Sequence, residues 1–358
     1  MERVGGTGID SAPLTPPEPD DAGPVRPVTL ADVAAAAGTS ASTASRALTG
    51  RGYVSPAVRE RLVETAARLG YVRNAWALAL KQQTSRVVGV VVSELGNQFY
   101  AGLASGIEET LRSEGYQMLL VSDNSDSAQE LALTRTFLSL RAAGVIMTPV
   151  GTEGTAFLAR HGIDVVEVDR QLSGSTCDAV VIDNENGARA ATAHLLELGH
   201  RRIGLLVVET DWTTDAGRLR GYLVAHEEAG VEVDDELIVR IALKAPDAAA
   251  RVGALLDVES PTAIFAANNT LADVAWNVIR ERRLALPEDI SLVAFDDVPW
   301  MSMVTPEITA VAQPTVELGR RATRLLLRRL ADPARPPALE VLQPTLLLRG
   351  STAPPVSA

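Results

Sequence analysis

From Val87 onward, hydrophobic residues fall into short β-rich runs that alternate with amphipathic helical segments. Strands are predicted first at "RVVGVVV", "YQMLLVS", "AAGVIMTPV" and "GIDVVEVD", and helices at "FYAGLASGIEETLRSEG" and "SAQELALTRTFLSLRA". The alternation resumes with "GARAATAHLLELGH", "RRIGLLVV", "RLRGYLVAHEEAG", "PTAIFAAN", "TLADVAWNVIRERR" and "ISLVAFDD". Repeated strand–helix units predict parallel sheets covered by helices on both faces. About 250 residues of this pattern predict an α/β body of two doubly wound subdomains, with a ligand at the carboxyl ends of their strands.

A different pattern precedes this body, because three short helices are predicted between residues 28 and 73. Thr29 and Asp32 form a capping box that opens the first helix, and Gly38 ends it in a left-handed conformation. Ser40 caps a second helix, predicted over residues 41–48. Two short helices joined by a tight glycine turn make a helix-turn-helix.

The third helix is predicted to begin at Pro56, with Ser55 as its N-cap, and to stop at Gly70. Its apolar face is formed by residues spaced three or four apart, namely Val58, Leu62, Ala66 and Leu69. The three helices together predict a small all-helical domain ahead of the α/β body.

Charge is distributed unevenly along the chain, whose formal net charge is −12. Residues 28–86 hold eight arginines or lysines and three acids, a net charge of +5. Residues 1–27 carry −3, and the rest of the chain carries −14. A basic module attached to an acidic body predicts an anionic polymer as the partner of the module and a different partner for the body.

The termini and hydropathy narrow the class of protein further. Residues 1–27 are rich in Pro, Gly and Asp, which predicts a disordered tail without a signal peptide. No apolar run reaches the roughly 18 to 20 residues of a membrane span. We therefore expect a cytoplasmic protein with no membrane partner.

The sequence contains no recognisable motif for catalysis or metal binding. Cys177 is the single cysteine, which excludes an internal disulfide and a cysteine-based metal site. The four histidines are scattered without metal-ligand spacing. There is no GxGxxG after the first strand, no P-loop and no GxSxG elbow. We therefore expect no enzyme activity, no metal and no cofactor.

The stretch "GTSASTASRAL", residues 38–48, places one arginine among small hydroxyl and methyl side chains. In a helix-turn-helix the N-terminal part of the second helix enters the major groove, where small side chains let the backbone approach the bases. Arg46 has a planar fork that can bind guanine O6 and N7 together. The alternative is that Arg46 is a solvated surface arginine.

This region resembles the DNA-binding headpiece of the LacI/GalR family of transcription regulators, whose pattern is roughly V-T-[IL]-x-D-V-A-x-x-A-G-V-S-x-x-T-V-S-R-x-L-N. The pattern is matched at Val28, Thr29, Leu30, Asp32, Val33, Ala34, Ala37, Gly38, Ser40, Thr43, Ser45, Arg46 and Leu48. Thr39, Ala44 and Thr49 replace the usual Val, Val and Asn. The DNA contacts that the resemblance implies are Thr29, Ser40, Ala41, Ser42, Thr43, Ser45, Arg46, Tyr53 and Ser55. Among them, Ala41 and Ser42 occupy the family's variable base-reading positions.

The segment "RNAWALALKQQTSR" resembles the hinge helix of the same family, which orders on operator binding and inserts a leucine into the minor groove. The resemblance implies that residues 74–86 form this hinge and linker. It also implies DNA contacts at Asn74, Ala77 and Leu80, with Leu80 as the inserted residue. Arg73 and Leu78 stand where the family usually has Pro and Arg, which predicts altered ordering of the hinge.

In the body, candidate ligand-binding side chains lie at the ends of predicted strands. Arg218 is predicted to open the helix after "LLVV", and its fork suits paired sugar hydroxyls or a carboxylate. Asp296 and Asn268 end two strands, and Phe99 and Tyr100 follow the first strand and can stack on a sugar ring. The alternative for each is a strand-end cap or a solvated loop residue.

The LacI/GalR resemblance continues to about residue 350, in stretches such as "VVIDNENGARAATAHLLELGHRRIGLL" and "LPEDISLVAFDDVPWMSMVTPEITAVAQP". The family's body is similar to periplasmic sugar-binding proteins, so the resemblance implies that the five residues above contact an effector. It adds Asn97, Asp169, Trp212 and Asn269 as further contacts. Asn269 stands where the family usually has Asp, which removes a charge.

The resemblance also implies a domain organisation for residues 87–350, the effector-binding and dimerisation domain. The chain is expected to cross between subdomains near Asp183, Val311 and Leu342. The N-subdomain then comprises residues 87–183 and 313–341, and the C-subdomain residues 184–311 and 342–350. Residues 351–358 are expected to be a flexible C-terminus.

These features predict a sequence-specific DNA-binding transcription regulator of the nucleoid, a repressor whose operator affinity is controlled by a sugar or sugar derivative bound between the two subdomains. A homodimer on a near-palindromic operator is expected, since "LRGSTAPPVSA" contains no leucine heptads. The alternatives are a regulator controlled by a protein corepressor or by no small molecule, and a sugar-binding transport protein.

Overall fold

The computed structural model describes residue 26 and residues 28–50, 52–71 and 85–356. These residues form two compact units, one before residue 76 and one after it. Nearly all of the predicted tail and the predicted hinge contacts Asn74, Ala77 and Leu80 lie outside the described residues, as do Arg73 and Leu78.

The N-terminal unit holds three helices: α1 (Leu30–Ala36), α2 (Ala41–Thr49) and α3 (Pro56–Arg68). The predicted capping box is confirmed, because Asp32 N donates to Thr29 Oγ1 at 3.3 Å and Thr29 N donates to the Asp32 carboxylate at 2.8 Å. Gly38 has a φ of +64°, as its left-handed position requires. Ser55 precedes α3 as predicted, but its side chain makes no capping hydrogen bond.

A small core made mostly of alanines joins these three helices. Its buried members are Val33, Ala34, Ala37, Ala44, Ala47, Leu62 and Ala66. Alanine lets helices approach closely without burying polar groups. The side of α2 that carries Ala44 and Ala47 is therefore fixed against the core, and its opposite side faces outward.

The first sheet of the C-terminal unit contains β1 (Val87–Val92), β2 (Gln117–Ser122), β3 (Gly144–Met147), β4 (Asp164–Asp169), β5 (Asp178–Ile182) and β11 (Leu339–Leu342). The strands are all parallel, in the order β11–β5–β4–β3–β1–β2. Helices α4 (Gln98–Ser113) and α11 (Thr315–Ala331) cover one face, and α5 (Ser127–Ser139) and α6 (Thr152–Arg160) cover the other.

The second sheet contains β6 (Ile203–Val208), β7 (Ile238–Ile241), β8 (Ala263–Ala266), β9 (Ser291–Phe295), β10 (Thr309–Ala312) and β12 (Thr345–Leu347). Their order is β12–β10–β9–β8–β6–β7, with only β12 antiparallel to its neighbour. Helices α7 (Asn184–Glu197) and α8 (Thr213–Glu228) cover one face, and α9 (Ala248–Ala254) and α10 (Asn269–Glu281) the other. The predicted fold class, two doubly wound sheets behind a helical headpiece, is confirmed.

The chain passes between the two sheets three times. It leaves the first sheet after β5, returns to it after β10, and leaves it again between β11 and β12. Gly106 of α4 and Gly319 of α11 allow the returning helix to pack closely, since a Cβ at either would lie about 2 Å from a backbone carbonyl oxygen of the other helix. Each subdomain is therefore assembled from segments that are distant in sequence.

One predicted helix boundary is wrong. Helix α8 begins at Thr213, so Arg218 lies in its second turn and does not open it. The first residues of the helix, "TTDAG", include threonines and a glycine, which have low helix propensity. Helix propensity therefore does not predict a start at Thr213. Among the described residues, no helix has both the length and the hydrophobicity needed to cross a bilayer.

Candidate functional site

The outward side of α2 carries the side chains predicted to contact DNA. Ala41, Ser42 and Arg46 are exposed, and Thr43 and Ser45 are half-buried. Beyond this helix, Tyr53 is 87% exposed, Thr29 is exposed and Ser55 is half-buried. The side chains on the outward side of α2 are short apart from Arg46, so this surface can approach a groove floor closely.

Ser40 organises the N-terminus of α2. Its Oγ accepts a hydrogen bond from Thr43 N at 3.2 Å, as its predicted capping role requires. The same oxygen lies 2.9 Å from the hydroxyls of both Ser42 and Thr43. These three hydroxyls therefore form one connected group at the end of the helix, where backbone N–H groups favour an anion such as a phosphate.

The Arg46 guanidinium is available for an external partner. The aliphatic part of the side chain lies against Gly52, where a Cβ would come within 3.2 Å of Arg46 Cδ. Gly52 has a φ of +80°, a conformation that glycine adopts readily. Within residues 28–50 and 52–71, no carboxylate forms an ion pair with Arg46. Its five N–H donors are therefore free to bind an acceptor outside the protein.

In the C-terminal unit, a solvent-open cavity of about 630 Å³ is lined by residues that follow strands of both sheets. Eight of the nine predicted effector residues line it: Asn97, Phe99, Tyr100, Asp169, Trp212, Arg218, Asn268 and Asp296. Asn269 does not line it; this residue is 6% exposed and bonded to Asn97. The cavity lies where doubly wound sheets usually bind ligands.

Arg218 is held rigidly beside this cavity. Its Nε donates to Asn184 Oδ1 at 2.9 Å, and its Nη1 donates to the carbonyl oxygen of Ala267 at 2.7 Å. Its Cζ lies over the Phe295 ring, 3.9 Å from the ring centroid. Arg218 is only 5% exposed, and Nη2 is the one nitrogen of its guanidinium that makes no hydrogen bond among the described residues.

Asp296 and Asn268 follow two neighbouring strands of the second sheet and are both partly engaged by the protein. The Asp296 carboxylate accepts hydrogen bonds from Gln313 Nε2 at 2.5 Å and from Asn269 N at 3.2 Å. Asn268 Oδ1 caps α10 by accepting from Leu271 N at 2.8 Å. The strand-end cap considered as an alternative for Asn268 is thus a role that it does perform.

The aromatic pair at the start of α4 forms one wall of the cavity. Phe99 and Tyr100 are each 7% exposed, and their rings meet edge to face with centroids 5.1 Å apart. Burial is the main cause that raises the pKa of Tyr100 to about 12, so its hydroxyl is protonated at neutral pH. Asn97 caps this helix by accepting from Phe99 N at 3.0 Å.

Several cavity residues were not predicted, and Arg170 is the most prominent of them. Its guanidinium lies 3.5 Å from the centroid of the ring of Trp212, the N-cap residue of α8 in the other subdomain. The further unpredicted lining residues are Ser93, Glu94, Ser125, Val208, Thr214, Asp215, Leu243, Thr270 and Gln313. Arg170, Ser93 and Glu94 directly follow strands β4 and β1, so the strand-end argument that selected Asp296 and Asn268 applies equally to them.

Among the described residues, no cluster of three or more histidines, cysteines or acids is arranged to hold a metal ion. Cys177 is half-buried, and burial raises the pKa of its thiol. The geometry is that of a binding cleft with hydrogen-bonding and aromatic walls. A two-sheet ligand-binding body that follows a helix-turn-helix defines the class of ligand-responsive DNA-binding proteins.

Comparisons with known proteins specify the class further. Residues 29–74 match the model of bacterial regulatory proteins of the lacI family, and residues 192–352 match a periplasmic binding protein-like domain. The HTH-type transcriptional regulator DegA of Bacillus subtilis (strain 168) is 32% identical over 332 residues, covering 91% of this chain and 98% of the relative. The HTH-type transcriptional regulator CelR of Thermobifida fusca is 33% identical over 333 residues, covering 90% and 98%.

Solved structures give the same result. A CelR–cellobiose complex is 32% identical with a TM-score of 0.70, covering 91% of this chain and all of the other. The lac repressor dimer bound to operator and an anti-inducer is 25% identical with a TM-score of 0.78, covering 92% and 100%. The chain belongs to the LacI family and is a DNA-binding transcriptional regulator. Its relatives are transcriptional regulators and not enzymes.

Proposed function

We propose that this protein is a repressor that binds a near-palindromic operator as a homodimer, in the cytoplasm and on the nucleoid. The observation that carries the proposal is the outward side of α2, where Arg46 has no ion-pair partner in the described headpiece and the neighbouring side chains are short. Arg46 is the proposed base reader, Ala41 and Ser42 the variable base contacts, and Ser40, Thr43 and Ser45 contacts to the DNA.

The remaining DNA contacts in the proposal are Thr29, Tyr53 and Ser55 in the headpiece and Asn74, Ala77 and Leu80 in the hinge. The hinge residues rest on the family resemblance of the sequence alone. The proposed domain boundaries are those of the sequence analysis, with residues 28–73 as the DNA-binding domain, 74–86 as the hinge and 87–350 as the effector domain.

We further propose that the cleft binds a carbohydrate effector that controls operator affinity. Related proteins support this, because solved structures of relatives carry cellobiose and ribose. The cavity is open to solvent, and its walls combine aromatic rings with hydrogen-bonding groups, as small-molecule sites do. Asn97, Phe99, Tyr100, Asp169, Trp212, Arg218, Asn268 and Asp296 are the proposed contacts, and Asn269 acts by holding Asn97.

Selection of bound fragments from a genomic library, followed by footprinting, tests this function. The expected result is a protected near-palindrome whose half-sites are about one helical turn apart. Adding cellobiose, ribose or related sugars should change the protection. No protected palindrome under any condition would contradict the DNA-binding proposal, and protection that no small molecule changes would favour a protein corepressor.

A further inference from the structure

The ionised side chains around the cleft are mainly acidic. Four carboxylates and two guanidinium groups line the cavity: Glu94, Asp169, Asp215 and Asp296 against Arg170 and Arg218. An anion entering this cleft therefore meets more negative than positive charge. The cleft could still bind an anion if the guanidinium of Arg170 or Arg218 were free to bind it.

Arg170 is largely occupied by the protein, and both N–H groups of its Nη2 are used. Its Nη2 donates to Ser93 Oγ at 2.8 Å and to the Tyr100 hydroxyl at 3.3 Å, and its Nη1 donates to the carbonyl oxygen of Pro149 at 3.3 Å. Its Nε lies 3.9 Å from the Asp169 carboxylate, and one face of the guanidinium is covered by Trp212. This cation holds the wall of the cleft together and presents no fork to a ligand.

Arg218 offers only part of its fork, because Nε and Nη1 already donate to Asn184 and Ala267. Bidentate binding of a carboxylate or phosphate is the arrangement in which arginine is strongest, and it requires two parallel N–H groups that point to one anion. The Nε–Nη2 edge is closed to bidentate binding because Nε is occupied, and Nη1 has given one of its two N–H groups to Ala267. Among the described residues, Nη2 is the nitrogen with both N–H groups unused, and it suits a single ligand oxygen such as a hydroxyl.

Asp169 is the acceptor that the cleft leaves unused. It is 6% exposed and has a φ of +69° at the end of β4. Among the described residues, its carboxylate accepts no hydrogen bond, and its one ion-pair contact is with Arg170 Nε at 3.9 Å. A buried carboxylate without donors is costly unless a ligand supplies them.

The raised pKa of Asp169 also argues against an anionic ligand. Burial is the main cause that raises its pKa to about 6, nearby Asp296 and Asp215 raise it further, and Arg170 and Arg218 oppose the shift. An anionic ligand would add a third negative neighbour to this carboxylate. Hydroxyl donors would instead stabilise its ionised form.

We infer that the effector is an uncharged, hydroxyl-rich molecule whose donors are accepted by Asp169, and that the cleft discriminates against phosphorylated and carboxylated sugars. This inference rests on the proposed effector role of the cleft. It assigns Asp169 as the residue that selects neutral over anionic ligands, with Arg170 as a positioning residue that holds Trp212.

Matched sets of compounds test this selectivity by thermal shift at pH 7.5 and equal ionic strength. The sets are glucose with glucose 6-phosphate and glucuronate, ribose with ribose 5-phosphate, and cellobiose with cellobionate. Stabilisation should be confined to the neutral member of a set. An anionic member that stabilises the protein more than its neutral partner would overturn the inference.

Inorganic phosphate provides an arm that does not depend on the identity of the effector. Phosphate should stabilise the protein no more than chloride does at equal ionic strength. Stabilisation by phosphate that disappears in Arg218→Gln would overturn the inference. If no carbohydrate of either charge stabilises the protein, the proposed carbohydrate effector is wrong, and the phosphate result still decides whether the cleft rejects anions.

Asp169→Asn tests whether Asp169 is the residue that selects neutral over anionic ligands. The neutral sugar should bind about 10- to 100-fold more weakly, the usual loss when hydrogen bonds to a charged group are removed. Its anionic partner should lose much less, so the preference between the two narrows. Asp211→Asn is the matched control, because Asp211 is exposed and outside the cavity lining. An unchanged preference in Asp169→Asn would show that Asp169 does not select the ligand.

Discussion

At the scale of a single residue, Arg46 combines an exposed position with a guanidinium that no described residue pairs with. Arg46→Ala should weaken operator binding by about 1–3 kcal/mol and relax the preference at one base pair, because a bidentate contact to guanine is lost. Fluorescence anisotropy on a set of operator variants measures both effects. Arg61→Ala, an exposed arginine of α3, is the control for loss of charge. Equal weakening on every variant would identify Arg46 as a phosphate contact.

The side chain of Thr39 places one buried hydroxyl where it lowers the stability of the headpiece. Its Oγ1 is buried with no hydrogen-bond partner among the described residues, at a position where the related family usually has Val. Thr39→Val should stabilise the headpiece by about 1 kcal/mol, because an unsatisfied hydroxyl is replaced by a methyl of similar shape. Hydrogen exchange of the α1 and α2 amides in the full chain should become slower.

Thr43→Val is the matched comparison for this change. The Thr43 hydroxyl lies 2.9 Å from Ser40 Oγ, so its removal should accelerate the same exchange. Slower exchange in Thr43→Val, or faster exchange in Thr39→Val, would contradict the argument.

At the scale of elements, the N-termini of α4 and α10 are joined across the cleft by two side-chain amides. Asn269 Nδ2 donates to Asn97 Oδ1 at 2.7 Å, and Asn97 Nδ2 donates to Asn269 Oδ1 at 3.3 Å. An aspartate at position 269 cannot donate, and Asn97 Oδ1 is already fixed as the cap of α4. The neutral amide at 269 therefore permits a reciprocal contact that a carboxylate would break.

Asn269→Asp should increase the separation between the two sheets in the unliganded protein. Spin labels at Glu153→Cys and Arg251→Cys, in a Cys177→Ser background, report this separation by pulsed electron resonance. The distance distribution should broaden towards longer distances. Sugar affinity should fall about tenfold, because fewer molecules hold the two sides of the cleft together in the arrangement that binds the sugar. Gln117→Glu makes the same amide-to-acid change at an exposed site and should have no effect. Identical distributions for both variants would refute the role of Asn269.

Helices α5 and α6 enclose a buried carboxylate that makes stability depend on pH. Glu130 is 1% exposed, and Val150 N donates to its Oε2 at 2.5 Å. Burial raises the pKa of Glu130 to about 7, with a further contribution from Asp123. Because the folded pKa lies above its ordinary value of 4.5, ionisation destabilises the folded state, and stability falls as the pH rises between these values.

Glu130→Gln removes this dependence. Between pH 5 and pH 8, the free energy of unfolding of the variant should rise relative to the parent by on the order of 2 kcal/mol. Urea unfolding at the two pH values measures the difference. Glu153→Gln, at an exposed position of α6, should shift nothing. A variant–parent difference that is the same at both pH values would contradict the raised pKa.

At the scale of the whole molecule, local sequence patterns predicted the strands, the helices and the residues that follow the strands. The period of hydrophobic residues predicted both sheets, and strand ends predicted five cavity residues, because carboxyl ends of parallel strands meet at one edge. The family resemblance supplied three more, Asn97, Asp169 and Trp212. Arg170 was missed because it stacks on Trp212 of the other subdomain, and a contact between residues distant in sequence leaves no local sequence pattern. Asn269 was placed in the site by resemblance, but its side chain is used to hold Asn97.

Charge is also organised at this scale. The basic residues 28–86 precede a body of strongly negative net charge whose cleft is itself mainly acidic. The headpiece suits a polyanion, whereas the cleft suits a neutral ligand. The two binding events are therefore separated by charge, and effector control requires a coupling free energy between them.

The coupling between the cleft and the operator is the most direct measurement of this account. Operator affinity is titrated at increasing concentrations of the neutral sugar that stabilises the protein, and sugar affinity is titrated with and without operator. The account predicts that each ligand changes the affinity of the other by the same factor, about 5- to 150-fold. A sugar that binds the cleft and leaves operator affinity unchanged would contradict it.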